Sequence, residues 1–160
     1  MLKVDSLKAY FLHKKNPPVR AVDDVSFEIA HGETVAIVGE SGCGKSTLAL
    51  SLFRLLPPPG KIVSGQVWLN GSELLACSEK EMRKIRGRQI GLILQDSLSA
   101  LNPVMRVGAQ IAETIRHHFG DDRKTARHKA LEMMERVTLP NVTKTYRLFP
   151  HQLSGGQRQR

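Results

Sequence analysis

The run Gly39-Glu40-Ser41-Gly42-Cys43-Gly44-Lys45-Ser46-Thr47 matches the pattern G-x4-G-K-[ST]. This pattern demands a particular local fold. Glycines let the backbone curl so that successive N–H groups point inward around a phosphate. A helix starting at the lysine adds its positive dipole end to the same spot. Lys45 then reaches the β- and γ-phosphates, and the Ser46 hydroxyl ligates Mg²⁺. In a chain of 160 residues a chance match is expected roughly once in a few hundred such chains. The ligand indicated is a nucleoside triphosphate with Mg²⁺, although GTPases, kinases, helicases and transporters all share the loop. Cys43 is read as a small filler at a tolerant position.

The flanking segments suit the loop. Residues about 2–11 and 19–30 alternate apolar and polar as strands do, with Val22, Val25, Phe27 and Ile29 in the second. Thr34–Val38 is a short β-rich run suited to a buried strand. A helix is expected from Lys45 to about Leu56, with Leu48, Leu52, Leu55 and Leu56 on one face and Pro57-Pro58-Pro59-Gly60 ending it. Asn70-Gly71 predicts a type I′ turn between strands near 62–69 and 72–75. Residues about 78–86 read as helix and Ile90–Leu94 as another buried strand. From about 104 to 138 the pattern is helical, with stripes through Val107, Ile111, Ile115 and Phe119 and through Ala126, Ala130, Met133 or Met134, and Val137. A last helix begins near Ser154.

Composition excludes several function classes. The chain is 41% hydrophobic with no low-complexity tract, so it can form a core. Its apolar runs are only a few residues long, far short of the roughly 20 that a spanning helix needs. Cys43 and Cys77 form no CxxC pair. The net charge of +9 raises the question of nucleic acid. The densest basic run, Lys80 to Arg88, carries no aromatic that could stack a base, so no direct nucleic-acid contact is expected. His117 and His118 lack metal-ligand spacing, and no metal beyond Mg²⁺ is expected.

A second constellation lies far downstream. In Leu153-Ser154-Gly155-Gly156-Gln157, a serine N-cap followed by two glycines leaves backbone N–H groups free at a helix start. Alone, this would be read as a plain helix cap. Together with the phosphate loop, however, it resembles the LSGGQ signature of ABC ATPases. Gln95, after the Ile90–Leu94 run, is similar to the family's Q-loop glutamine. Phe11 resembles the aromatic that stacks on adenine, with Tyr10 the second choice. The segments Gln95-Asp96-Ser97-Leu98-Ser99-Ala100-Leu101-Asn102-Pro103 and Phe149-Pro150-His151-Gln152-Leu153, and Ala21-Val22-Asp23-Asp24-Val25-Ser26-Phe27 before Gly32-Glu33, are similar to those of the oligopeptide, dipeptide and nickel importers.

The resemblance implies an α/β P-loop NTPase of ABC type. It comprises an antiparallel β lobe (about 1–35 and 61–76), a P-loop core (about 36–60 and 88–96) and a helical lobe carrying the signature (about 97–160), together forming one composite domain. It implies ATP and Mg²⁺ as ligands, with Gln95 contacting the metal and the attacking water. It also implies a second ATPase subunit, identical or not, whose Leu153, Ser154, Gly155, Gly156 and Gln157 cap the nucleotide in trans. Transmembrane permease subunits at the cytoplasmic face of a membrane, and an extracytoplasmic substrate-binding protein reached indirectly, complete the implied assembly. The family's Walker B aspartate, catalytic glutamate and switch histidine do not occur before Arg160, so the C-terminal part of the core is expected to be missing and these residues alone to be inactive in hydrolysis. Rivals are an ATPase of DNA repair, chromosome maintenance or translation, and a non-catalytic nucleotide-binding module. The stretch between loop and signature holds neither sustained heptads nor clustered cysteines, which disfavours the chromosome-maintenance reading.

Overall fold

The computed structural model describes residues 1–14, 16–94 and 100–160. These form two compact units, Met1–Arg83 and Lys84–Arg160. In the first, strands β1 (Leu2–Phe11), β2 (Val19–Ile29), β3 (Gly60–Leu69) and β4 (Ser72–Glu73) make one antiparallel sheet in the order β2-β1-β3-β4. β1 is central, pairing Val4 with Phe27 on one side and with Val67 on the other. Ser6 adopts a left-handed conformation (φ 48°) where the register shifts between Val4 and Leu7. That irregularity moves the two-residue period by one, so Leu7 and Ala9 are buried on the same strand as Val4. The predicted hairpin is present: Asn70 (φ 49°) and Gly71 (φ 85°) both take the positive φ of a type I′ turn, and Leu69 pairs with Ser72.

Helix α1 (Lys45–Leu52) lies against β2 and β1 and buries Leu48 and Ser51. It stops short of the predicted Leu56. Arg54 turns left-handed (φ 52°) and its guanidinium donates to the carbonyls of Leu74 (3.2 Å) and Cys77 (2.5 Å). The Leu55 N–H turns back to the Leu50 carbonyl (2.9 Å) and the Arg54 N–H to that of Ser51 (3.0 Å), so the backbone closes the helix before the proline run does, and Leu55 is left exposed. Two predicted strands do not form. Thr34–Val38 pairs with no strand among the described residues, and Val35, Ile37 and Val38 are exposed. Of Ile90–Leu94, only Ile90 joins a bridge, with Arg86, while Ile93 and Leu94 are exposed. A strand is stable only where its N–H and C=O groups find a ladder, and the described residues offer neither run a ladder.

Helix α2 (Glu79–Ile85) confirms the expectation for 78–86 and buries Met82 and Ile85. Ser78 caps it, giving its N–H to Glu81 and accepting from the Glu81 N–H.

The second unit is helical. α3 (Val107–Phe119) and α4 (Arg123–Arg136) pack through Ala112, Ile115, Ala126 and Ala130, with Ile111 and Tyr146 against them. Both predicted stripes point inward, but each loses its final residue to solvent: Phe119 and Val137 are exposed. Met134, and not Met133, faces the core. A short α5 (Val142–Thr145), a 3-10 turn (Pro150–Gln152) and α6 (Gly155–Gln159) complete the unit. No helix among the described residues is long and apolar enough to cross a membrane.

The start of α4 rests on one carboxylate. Asp122 accepts from the N–H groups of Lys124 and Thr125 and from the Thr125 hydroxyl. These bonds, the Thr125 N–H foremost, hold its carboxyl below the usual carboxylate range. A depressed pKa contributes stability that is present above the unfolded value, about 3.9, and is lost as pH falls through the folded value. Asp122→Ala is expected to lower the midpoint of thermal unfolding by a few degrees at neutral pH, followed by circular dichroism, with the difference from the parent shrinking under acid. An unchanged midpoint at pH 7 would show that the cap does not support the helix.

Candidate functional site

Residues 39–47 form an exposed to half-buried loop that runs into α1. The helix opens on Gly44, left-handed at φ 98°, with no side-chain cap and no acidic residue in its first turn. Among the described residues the N–H groups of Lys45, Ser46 and Thr47 have no protein acceptor; the first intrahelical bond runs from the Leu48 N–H to the Gly44 carbonyl (2.8 Å). The result is a cluster of unsatisfied donors at the positive end of a helix dipole.

The Lys45 ammonium lies across this loop. It donates to the carbonyls of Gly39 (2.7 Å) and Glu40 (2.6 Å) and sits 3.5 Å from Cys43 Sγ. The lysine is thus held where an incoming anion would meet it, bonded only to neutral acceptors that a phosphate would outcompete. The Ser46 hydroxyl is exposed and has no partner among the described residues. No three His, Cys, Asp or Glu side chains cluster around a metal position among the described residues. The Ser46 hydroxyl is an oxygen donor of the kind a hard cation such as Mg²⁺ takes.

Backbone meets backbone where the loop reaches the sheet. A Cβ at Gly44 would lie 2.0 Å from the carbonyl oxygen of Ala21 in β2. The sequence gives no sign of this role for Ala21, because its contribution is a carbonyl that any residue would supply. Cys43 folds over Gly39, where an added Cβ would meet its sulfur at 2.7 Å.

Both candidate aromatics lie on β1. The Tyr10 hydroxyl donates to Asp23 Oδ1 (2.5 Å), and the Arg20 guanidinium lies 5.8 Å from the Tyr10 ring centre and 3.5 Å from Asp23. The Tyr10 bond holds Asp23 below the ordinary carboxylate range, and the same bond pushes the phenol of Tyr10 up. Phe11 instead lays its ring edge against Gly60, where a Cβ would come within 3.0 Å. Nothing in the sequence ties Arg20 or Asp23 to the ring; the pairing of Tyr10 with Arg20 brings them there.

In the second unit, Ser154 caps α6 as expected. Its hydroxyl accepts from the Gln157 N–H (3.3 Å), and Gln157 Oε1 accepts from the Ser154 N–H (2.9 Å). Gly155 and Gly156 are exposed with open space where a Cβ would stand, and Leu153 is buried beneath them in sequence. Gln95 lies outside the described residues.

A family profile described as ABC transporter matches residues 22–160. The chain is 42% identical over its whole length to the oligopeptide transport ATP-binding protein AppD of Bacillus subtilis (strain 168), and 40% identical to the dipeptide transport ATP-binding protein DppD of Escherichia coli (strain K12). It spans 49% of each of these relatives, about half their length. Its fold is similar to that of the ATP-binding cassette MJ0796 in a dimeric post-hydrolysis state bound to ADP and Pi, with a TM-score of 0.85 and 26% identity, over 99% of this chain and 65% of that one.

Gly44→Ala is expected to strain both φ and the Ala21 contact, costing about 1–3 kcal/mol in urea unfolding and removing triphosphate binding. A variant that unfolds like the parent and binds as well would refute the backbone seating of the loop.

Proposed function

From its membership in the ABC transporter family, with the fold of an ABC ATPase cassette, we propose that the chain supplies the nucleotide-binding part of an ATP-binding subunit that powers import across a membrane. The observation that carries this reading is the uncapped start of α1 with Lys45 lying across it. In the proposal, the N–H groups of residues 42–47 and the Lys45 ammonium hold the β- and γ-phosphates of ATP, and Ser46 holds Mg²⁺, whose chemistry is to neutralise charge on the phosphates during transfer. Lys45 exchanges the carbonyls of Gly39 and Glu40 for phosphate oxygens. Adenine stacks on β1 at Phe11, with Tyr10 the second choice, and Gln95 orients the attacking water.

Hydrolysis in the whole protein is part of the same proposal. Phosphoryl transfer needs mainly positioning and fixed positive charge, which the loop residues provide. The signature residues Leu153 to Gln157 face the nucleotide of a second ATPase subunit, identical or not. A dimeric cassette among the similar structures supports this arrangement. The three lobes assigned from sequence remain part of the proposal.

Peptides are the proposed cargo in preference to nickel, because the relatives named above are oligopeptide and dipeptide transport proteins. Permease subunits would hold the ATPase at the cytoplasmic face, and an extracytoplasmic binding protein would deliver the cargo to them.

Isothermal titration with Mg-ATP tests the core of the proposal. Removing Lys45 deletes a charge-assisted contact of about 1.5–3 kcal/mol, so Lys45→Ala is expected to weaken binding by about 10-fold or more. Equal affinity for parent and variant, both folded by circular dichroism, would place the nucleotide elsewhere or nowhere.

A further inference from the structure

Five arginines converge on one groove of the Lys84–Arg160 unit, with a volume of about 700 Å³. Arg106 precedes α3, Arg116 lies on α3, Arg123 and Arg127 lie on α4, and Arg147 follows α5. The groove has one acidic lining residue, Glu113. Among the described residues, no carboxylate forms an ion pair with any of the five. Other basic side chains of α4 are different: Lys129 pairs with Asp121 at 2.6 Å and His128 with Glu132 at 3.4 Å. Glu113 is thus the one carboxylate set against five guanidinium groups in the groove.

Like charges brought together repel unless an anion lies among them. Every cation in the groove is an arginine, whose planar fork matches phosphate oxygens in pairs and is less strongly hydrated than an ammonium. One wall is rigid and aromatic. Tyr146 lies so close over Gly108 that a Cβ there would fall 2.0 Å from the ring, and Arg127 sits 5.6 Å from the ring centre. Ala109 and Ala112 give the groove its depth. Its volume is that of a small-ligand pocket, about 300–1,000 Å³.

We propose that this groove is a second anion site, built from residues other than the phosphate loop, and that it takes a small anion bearing two or more phosphates. Bidentate pairing from several arginines holds the phosphates, and the packed Tyr146 ring holds Arg127 at the groove wall. Forks converging within a small-molecule volume favour a compact polyanion over an acidic protein segment. The inference does not depend on the loop being a nucleotide site.

The test uses inorganic triphosphate as the probe, titrated calorimetrically into Lys45→Ala protein so that the loop does not contribute. Saturable binding of one triphosphate per chain is expected. Arg116→Gln/Arg127→Gln should weaken it by about 10-fold or more, since charge-assisted bonds are lost. The surface pair Lys80→Gln/Lys84→Gln, which removes the same charge elsewhere, should leave it unchanged. Arg127→Lys should fall between, keeping charge but losing the fork. The substituted arginines are exposed, so thermal melting should be unaffected, and Arg123→Gln/Arg147→Gln provides an independent pair. Absent saturable binding, or equal losses in the groove and surface pairs, would overturn the proposal. A glutamate-rich peptide that binds the groove where triphosphate does not would overturn it in favour of a protein partner.

Discussion

The phosphate-loop motif meets the sheet where backbone lies against backbone. Gly44 sits on the carbonyl of Ala21 with no room for a Cβ, and this contact sets where α1 begins. A left-handed residue at the N-cap turns the chain sharply. The next three N–H groups then point out of the helix end without protein acceptors. The lysine and serine of the motif fall at the first two helical positions, where side chains reach that same end. Moving the loop away from β2 would relocate all of these groups together. The sheet is therefore the reference frame of the site, and β1, hydrogen-bonded on both sides, is its fixed middle.

What was legible in the sequence was local. The type I′ turn at Asn70-Gly71, the Ser154 cap, and the phosphate loop are each decided by residues within a few positions of one another, through φ preferences and short hydrogen bonds. What was not legible depends on distant partners. Thr34–Val38 and Ile90–Leu94 have β-strand composition, but a strand is a relation between segments, and neither has a ladder here. At the end of α1, Arg54 turns left-handed in place of the predicted helix, and the acceptors its side chain then meets lie far off at Leu74 and Cys77. The bulge near Ser6 shows a middle case: burial of Val4, Leu7 and Ala9 breaks simple alternation, and pairing on both sides of β1 accommodates the extra residue.

The charge of the chain illustrates the same limit. A net +9 says nothing about where the charge collects. The densest basic stretch in the sequence, Lys80 to Arg88, was the natural place to look. The structure instead gathers Arg106, Arg116, Arg123, Arg127 and Arg147 from around three helices into one groove. These residues are spread over some forty positions, and no short motif unites them.

The two helix starts that invite anions are built on different terms. At α1 the cap is glycine, so the first-turn donors are unsatisfied and the nearest cation is already in place. At α6, Ser154 and Gln157 satisfy one another, and only the paired glycines leave the backbone accessible. The first end is the better suited to a phosphate because its donors lack any internal substitute. The second, five residues long and self-capped, has little to gain from a free anion in water, since its capping bonds are already made. In the proposed function it serves only where a second subunit's nucleotide meets Gly155 and Gly156. The contrast between the two ends follows from which residue occupies each N-cap.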